Sequence, residues 1–419
     1  MKDKLVLLTV IFLIYYYNNA IFSVFIELES WKLYSIWLFI ILFIFINNNR
    51  CWQERFLNWT ILLGSIIILL SNNLFITYLG LELQTFPLFI LISKNNLWVK
   101  SSEAGLKYFI LGALSSGVFL LGCSLIFLKT NSLNLNYLTN ILYSDDNQLW
   151  CLLGLTLFPL FFKIGLAPFH FWLPDIYEGC HWETITVLST IPKFSVLYLV
   201  LQLFKNYNII IIIASISVIL GVLGAINQTK IKRLIAYSGI THIGFITLML
   251  YPLENTYIEL TSFYIVIYSL TLLSIIISLD DTILSNNSYI VELQNFNNGG
   301  LKGGLLVILI FSLAGVPPLA GFITKWLLFN SLIGQGYVFI ALICLVFSFI
   351  GVGYYLRIIN FLQFKKGVVI SDWKDSLTRD GTTTNSFNYY LISFSIYGSL
   401  ILMTNPSPFF FIFTYFFSY

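Results

Sequence analysis

Apolar residues along this chain gather into runs of about twenty, parted by short polar stretches that hold most of the charges and asparagines. A helix of about twenty residues, rising about 1.5 Å per residue, covers a hydrocarbon core about 30 Å thick, so each run predicts a membrane-crossing helix. Thirteen such runs are read, at residues 5–27, 31–48, 56–71, 72–93, 104–129, 149–173, 183–204, 207–227, 231–251, 257–278, 303–333, 336–364 and 387–416. Pro406 and Pro408 interrupt the last run, which can therefore hold two shorter segments. Lys2 and Lys4 precede the first run as in a secretory signal, but no small-residue cleavage site follows before Asn18 and Asn19. The first run is thus expected to stay on the chain as a helix.

Composition agrees: 58% of the 419 residues are hydrophobic, 10% are charged, and the mean hydropathy is +0.86. Soluble domains carry about 25% charged residues, so the expected class is an all-α polytopic membrane protein. With thirteen crossings, one side of the membrane collects most of the lysines and arginines, from Lys2 and Lys4 through Lys230, Lys232 and Arg233 to Arg379. The other side holds Lys32, Lys129 and Lys205, and the positive-inside rule puts the basic side in the cytoplasm or the mitochondrial matrix. Arg357, near a helix end, can snorkel to water. Cys51, Cys123, Cys151, Cys180 and Cys344 are far apart and form no C-x-x-C pair, so neither a zinc site nor an iron–sulfur cluster has its ligand spacing. Cys180 beside His181 reads as a loop coincidence rather than a metal site. The chain has no P-loop and no strand-linked G-x-G-x-x-G, which leaves nucleotide binding unsupported, and no nucleic-acid partner is expected.

Glu82, Lys163, Lys193 and Lys325 stand inside the apolar runs. A charge at bilayer depth costs about 2.5–3.5 kcal/mol even on lenient insertion scales, and such charges usually mark paths for ions or protons. By helical rise, Glu82 and Lys193 lie roughly 15 Å and His242 roughly 16 Å into their runs, near the middle of the core. Two runs also carry breakers at their centres: Lys163-Ile-Gly-Leu-Ala-Pro-Phe-His170, and Leu313-Ala-Gly-Val-Pro-Pro-Leu-Ala-Gly-Phe-Ile-Thr-Lys325. Each predicts an interrupted helix beside a lysine, the pointer to an inverted-repeat transporter. Burial disfavours a charged lysine and a nearby carboxylate favours it, so Lys163 can trade a proton as Glu82 approaches or withdraws. Structural readings stay open: a permanent Glu82–Lys163 pair, Lys193 and Lys325 satisfying carbonyls freed by the breaks, an interfacial Lys107, and hydrogen-bonded packing for His170 and His242.

Four segments resemble a known family. Ser102-Glu-Ala-Gly-Leu-Lys-Tyr-Phe-Ile-Leu-Gly-Ala-Leu-Ser-Ser-Gly117 is similar to the hallmark segment of the subunit 2 family of mitochondrial NADH dehydrogenase, antiporter-like chains in the membrane arm of respiratory complex I. Lys163 to Gly179 resembles that family's broken helix and following loop, and Gln228 to Gly244 and Ser312 to Lys325 resemble two further segments, all in the expected order. The resemblance implies two inverted five-helix repeats with half-channels joined by a row of charges. Carried over by position, Glu82 is the glutamate partnering the broken-helix lysine, Lys163 that lysine, Lys193 the connecting lysine and Lys325 the terminal lysine of the second repeat. Lys107 and His242 match a further lysine and a histidine. The chain departs from the family at Ile164-Gly-Leu-Ala and at His181-Trp-Glu, and the spacing before Glu82 suggests that the first helix of bacterial relatives is missing.

The resulting expectation is a proton relay of Glu82, Lys107, Lys163, Lys193, His242 and Lys325, with N-terminal helices in 1–55, repeats in 56–204 and 205–364, and a polar loop and last helix in 365–419. The resemblance further implies no cofactor in this chain, with FMN, iron–sulfur clusters, NADH and ubiquinone handled by other subunits. Implied partners are neighbouring antiporter-like subunits and membrane lipids. Abundant Ile, Phe, Asn, Tyr and Lys suggest an AT-rich organellar gene and hence the inner mitochondrial membrane. A free-standing cation/proton antiporter and a non-pumping membrane scaffold are the competing functions.

Overall fold

The computed structural model describes residues 30–47, 51–94, 98–141, 147–203, 208–249, 255–280, 289–299, 301–363 and 386–407. The run at 5–27, the stretch 364–385 and the residues after 407 lie outside them. The described backbone is helical. In chain order it forms α1 (Ser30–Ile46), α2 (Trp52–Leu70), α3 (Leu74–Ile92), α4 (Val99–Thr130), the short α5 (Leu135–Ile141), α6 (Asn147–Ile164), α7 (Trp172–Gly179), α8 (Trp182–Ser189) and α9 (Ile191–Leu203). It continues with α10 (Asn208–Ile226), α11 (Ile231–Met249), α12 (Asn255–Asp280), a 3-10 segment (Ile290–Gly299), α13 (Leu301–Ala314), α14 (Ala320–Gly334), α15 (Val338–Gln363) and α16 (Ser386–Thr404).

Among the described residues, seven helical stretches are long and apolar enough to cross a membrane, at 52–70, 74–92, 99–130, 182–203, 209–226, 259–280 and 338–363. All seven coincide with predicted runs. The run read at 303–333 is instead split into α13 and α14, and in the run read at 149–173 the helix ends at Ile164, with α7 beginning only at Trp172, as the breakers require. At the first break Gly165 takes φ +83°, at the second Gly315 takes φ +77°, and in each case a proline follows three residues later. That left-handed backbone is strained for any residue with a Cβ, and the following proline cannot continue the ladder, so the helix ends there. Two elements fall in stretches read as loops, α5 and the 3-10 segment. Helix α4 begins five residues before the run read at 104, and α16 stops two residues before Pro406.

The chain divides into two compact units, one within residues 1–165 and 187–206, the other within 166–186 and 207–413. In the first unit, α2 and α3 touch through glycine: a Cβ on Gly64 would lie 2.8 Å from the Gly80 carbonyl oxygen and 2.8 Å from Gln84 Cγ. Gln84 Nε2 then donates to Ser195 Oγ at 3.0 Å, joining α3 to α9. Apolar side chains pack equally well against lipid, so small residues that let backbones approach, with polar contacts between helices, are what hold such a bundle together.

The second unit uses the same rule at α10 and α11, where a Cβ on Gly244 would meet Ser217 Oγ at 2.3 Å and one on Gly221 would meet Thr241 Cγ2 at 2.5 Å. Arg357 on α15 donates to the carbonyls of Ile226 (2.5 Å) and Gln228 (3.1 Å), capping the last turn of α10. At the second break, α14 folds back so tightly that a Cβ on Gly321 would sit 1.8 Å from the Ser312 carbonyl oxygen.

One tie occurs in both units. Asn73, just ahead of α3, pairs antiparallel with Asn134, just after α4; Lys230, just ahead of α11, pairs antiparallel with Tyr289, beyond α12. Each is a two-residue bridge that ties the start of one helix to a residue beyond the next, and a broken helix follows each bridge along the chain.

Gly321→Ala is expected to remove the chain from the membrane, because backbone rather than a movable side chain blocks the new methyl. Gly117→Ala, whose methyl would meet nothing within 4 Å, is expected to accumulate normally. Immunoblots of isolated membranes make the comparison.

Candidate proton-transfer site

In the first unit, α3 carries Glu82 and α6 carries Lys163 in its last turn, just before the break. Thr85, one turn on from Glu82, donates to its carboxylate Oε2 at 3.2 Å and to its carbonyl at 3.1 Å. The other carboxylate oxygen, Oε1, is buried and has no hydrogen-bond partner among the described residues, and the same holds for Lys163 Nζ. Glu82 acts electrostatically on Lys163. The two are therefore coupled but open, which decides against a permanently closed pair in this conformation. Buried ions cost several kcal/mol each unless paired, so such an arrangement is sustained by the fold around it and not by its own energy.

A cavity of about 220 Å³ between α3 and α4 reaches Glu82, with Tyr78, Thr85, Tyr108 and Ser116 on its wall. Phe86, Phe89 and Phe109 complete a mostly apolar wall, and at about 30 Å³ per water molecule the space has room for several. Lys193, on α9, is 2% exposed, two residues from the Ser195 hydroxyl that Gln84 engages. Lys107 makes a 2.8 Å ion pair with Glu103, one turn back on α4, and both are substantially exposed. The early start of α4 leaves Lys107 two turns inside the helix rather than near its end.

In the second unit, Lys325 on α14 donates to the Ala314 carbonyl at 2.7 Å, and its ammonium lies 5.8 Å from the centre of the Phe245 ring. The break frees that carbonyl and the lysine takes it up. A Cβ on Gly315 would come within 2.8 Å of Lys325 Cδ and 3.0 Å of Nζ, so glycine is needed there for space as well as for its backbone. His242, on α11, is 4% exposed with both ring nitrogens engaged, Nδ1 at 3.0 Å from the Tyr264 hydroxyl and Nε2 at 3.2 Å from that of Tyr355. Its ring stacks on Tyr268, with centroids 4.9 Å apart. His170, in the first break, stacks on Phe171 at 4.6 Å and meets Tyr237 edge-on at 6.3 Å.

A cluster of charges anchors α11. Glu178 on α7 accepts from Lys230 (2.5 Å) and forms an ion pair with Arg233 (2.9 Å), Asp175 accepts from Arg233 (2.5 Å), and Lys232 donates to the Cys180 carbonyl (2.6 Å) with its ammonium 5.0 Å from the Trp182 ring centre. Burial pushes the Cys180 thiol up to about 12. It stays protonated at neutral pH and is not a reactive thiolate.

This arrangement has clear relatives. The family described as "NADH:quinone oxidoreductase/Mrp antiporter, TM" matches residues 71–351, two thirds of the chain and all six expected relay residues. The chain belongs to that family. Subunit N of the NADH-quinone oxidoreductase of Pelagibacter ubique is 35% identical over 349 residues, 80% of this chain and 73% of that one. NADH-ubiquinone oxidoreductase chain 2 of Metridium senile is 35% identical over 318 residues, covering 72% and 81%. Among solved structures, a chain of respiratory complex I from Thermus thermophilus superposes with a TM-score of 0.77 at 26% identity, covering 91% and 85%. The Mrp complex of a Dietzia species also matches, at 0.75, but at 17% identity that likeness is one of fold alone.

Sequence reasoning missed the tyrosines around this antiporter-family histidine, because Tyr264, Tyr268, Tyr354 and Tyr355 look like ordinary members of apolar runs. It counted Lys230 and Arg233 only as charges marking one membrane face, and the fold matches each with a carboxylate on α7. Lys32 was another such charge, yet it is wholly buried, with its ammonium 3.4 Å from Asn72 Oδ1.

Glu178→Gln removes the negative charge that Lys230 and Arg233 share and is expected to cost about 2 kcal/mol. Asp175→Asn, at a more exposed carboxylate, should cost less. Heat inactivation of the membranes' NADH oxidation checks the order of the two.

Proposed function

We propose that this chain is the proton-translocating, antiporter-like subunit of a respiratory NADH:quinone oxidoreductase and moves protons along Glu82, Lys107, Lys163, Lys193, His242 and Lys325. Electron transfer in partner subunits changes the field at Glu82; as the carboxylate withdraws, the Lys163 ammonium loses its stabilising charge and gives its proton up toward Lys193. His242 and Lys325 then carry the charge on. The observation that carries this reading is the open Glu82–Lys163 pair with its buried, unpartnered Oε1 and Nζ, since ionisable groups at bilayer depth usually mark paths for ions or protons. The cavity at Glu82 supplies access.

The finer features belong to the same proposal. They are thirteen crossings, repeats at 56–204 and 205–364 related by inversion, no redox cofactor in this chain, and neighbouring antiporter-like subunits and lipids as partners. An inner mitochondrial location is supported by the AT-rich composition and the Metridium chain 2 relative, while the Pelagibacter relative is bacterial. A free-standing antiporter of the Mrp kind is less favoured, because the oxidoreductase chains match at 35% identity and the Mrp structure at 17%.

Gentle solubilisation, native electrophoresis and an NADH-oxidation stain are expected to place the chain in a very large NADH-oxidising band; a small inactive band would return the free antiporter to first place. Lys163→Ala is expected to leave that band intact and to cut proton-coupled quinone reduction by about tenfold or more in membrane vesicles. Undiminished pumping would remove Lys163 from the relay.

A further inference from the structure

His242 has a feature that a packing histidine lacks, a hydroxyl on each ring nitrogen with a second acceptor behind each hydroxyl. The Tyr264 hydroxyl, 3.0 Å from Nδ1, also faces Thr324, the residue before Lys325. Thr324 donates its own hydrogen to the Gly321 carbonyl at 2.8 Å, which leaves its oxygen free to accept. The Tyr355 hydroxyl, 3.2 Å from Nε2, also faces Ser238 and Tyr354. Ser238 likewise spends its hydrogen on a carbonyl, that of Ile235 at 2.9 Å. No carboxylate contacts the ring among the described residues and both of its partners are uncharged hydroxyls, so the neutral imidazole is the form that fits. A neutral imidazole has one N–H and one acceptor nitrogen. Between two hydroxyls that can each turn either way, both tautomers are fully hydrogen-bonded.

We infer that His242, Tyr264 and Tyr355 form a proton valve that works by exchange of neutral tautomers and passes one proton per cycle. This rests on the proposed function above. In one state Nδ1–H donates to Tyr264, Tyr264 donates to Thr324, and Tyr355 donates to Nε2. A proton arriving on the Tyr355 oxygen from the Tyr354 side lets Tyr355 release its own proton to Nε2. The ring then loses its Nδ1 proton to Tyr264, and Tyr264 releases its proton on the Thr324 side to Lys325, which accepts it as the neutral amine after passing its own proton on. Each oxygen and the ring gain one proton and lose one, and the net result is the transfer of one. Afterwards Nε2–H donates to Tyr355, and Tyr264 donates to Nδ1. In that state the bonds oppose a second passage in the same direction until ring and hydroxyls reset. Tyr264 and Tyr355 are therefore transfer residues that no apolar-run reading would select.

The test uses the assembled complex in membrane vesicles, with Tyr264→Phe, Tyr355→Phe, His242→Gln and the double variant His242→Gln with Tyr355→Phe. Gln has a donor and an acceptor and can hold both tyrosines, but it cannot exchange tautomers. Each single variant is expected to keep the large NADH-oxidising band and to lose proton-coupled quinone reduction by about tenfold or more. The double variant should be no worse than the poorer single, because a wire is cut once. His242→Gln pumping at the wild-type rate, or a double variant whose losses multiply, would overturn the valve. Should His242→Gln not assemble, the isosteric Tyr264→Phe decides alone: wild-type pumping refutes the valve and loss of pumping supports it. Where Lys163→Ala abolishes pumping and these variants do not, the valve and the place of His242 in the relay fall while proton translocation by this chain stands; where none of them has an effect, the proposed function falls as well.

Discussion

A polar group inside an apolar bundle must find a partner within the protein, and most of the specific structure here follows from that constraint. Breaking a helix at depth releases carbonyls that water would satisfy elsewhere. At the second break the Ala314 carbonyl is met by the Lys325 ammonium, and only a glycine at 315 leaves room for the approach. The lysine thus closes the break, and the break holds the lysine. One contact serves both the fold and the proposed transfer, because a cation resting on a carbonyl dipole has no neutralising charge and keeps the capacity to lose its proton.

The first break is built from the same backbone parts, a glycine in the left-handed region and a proline three residues on. Its lysine sits before the break rather than after it. Lys163 Nζ has no partner among the described residues, and Glu82, which acts on it, keeps an unpartnered oxygen. Similar backbone devices therefore carry differently poised charges, one resting on a carbonyl and one held apart from its counter-ion. In a low-dielectric setting a small movement of Glu82 changes the energy of the charged lysine strongly. That sensitivity suits a trigger better than the settled contact at Lys325 would.

Close backbone approach is what sets these groups in place. With little hydrophobic gain from packing one apolar helix on another, glycines at 64, 221 and 244 bring helices together, and a few side-chain bonds fix their register. The carboxylates of α7 do the same for α11 through Lys230 and Arg233, which holds His242 against its tyrosines. These ion pairs lie at the start of α11, apart from the buried charges, so anchoring and transfer use separate residues.

The sequence by itself determined the class, the positions of the long helices and the two breaks, since runs of twenty apolar residues, and glycine followed by proline within them, have few physical outcomes in lipid. It also singled out Glu82, Lys163, Lys193 and Lys325, because a lone charge in such a run stands out from its surroundings. Partnership was not legible in this way. Whether Glu82 and Lys163 touch, which carbonyl Lys325 meets, and that Lys107 pairs with Glu103 depend on distances of an ångström or two between side chains. The tyrosines around His242 were hidden for a related reason: a tyrosine in an apolar run looks like packing until the fold turns its hydroxyl toward a ring nitrogen. Composition and spacing set which groups must be paired, and only the tertiary structure decided which pairs formed, because a hydrogen bond depends on direction and distance between residues far apart in the chain.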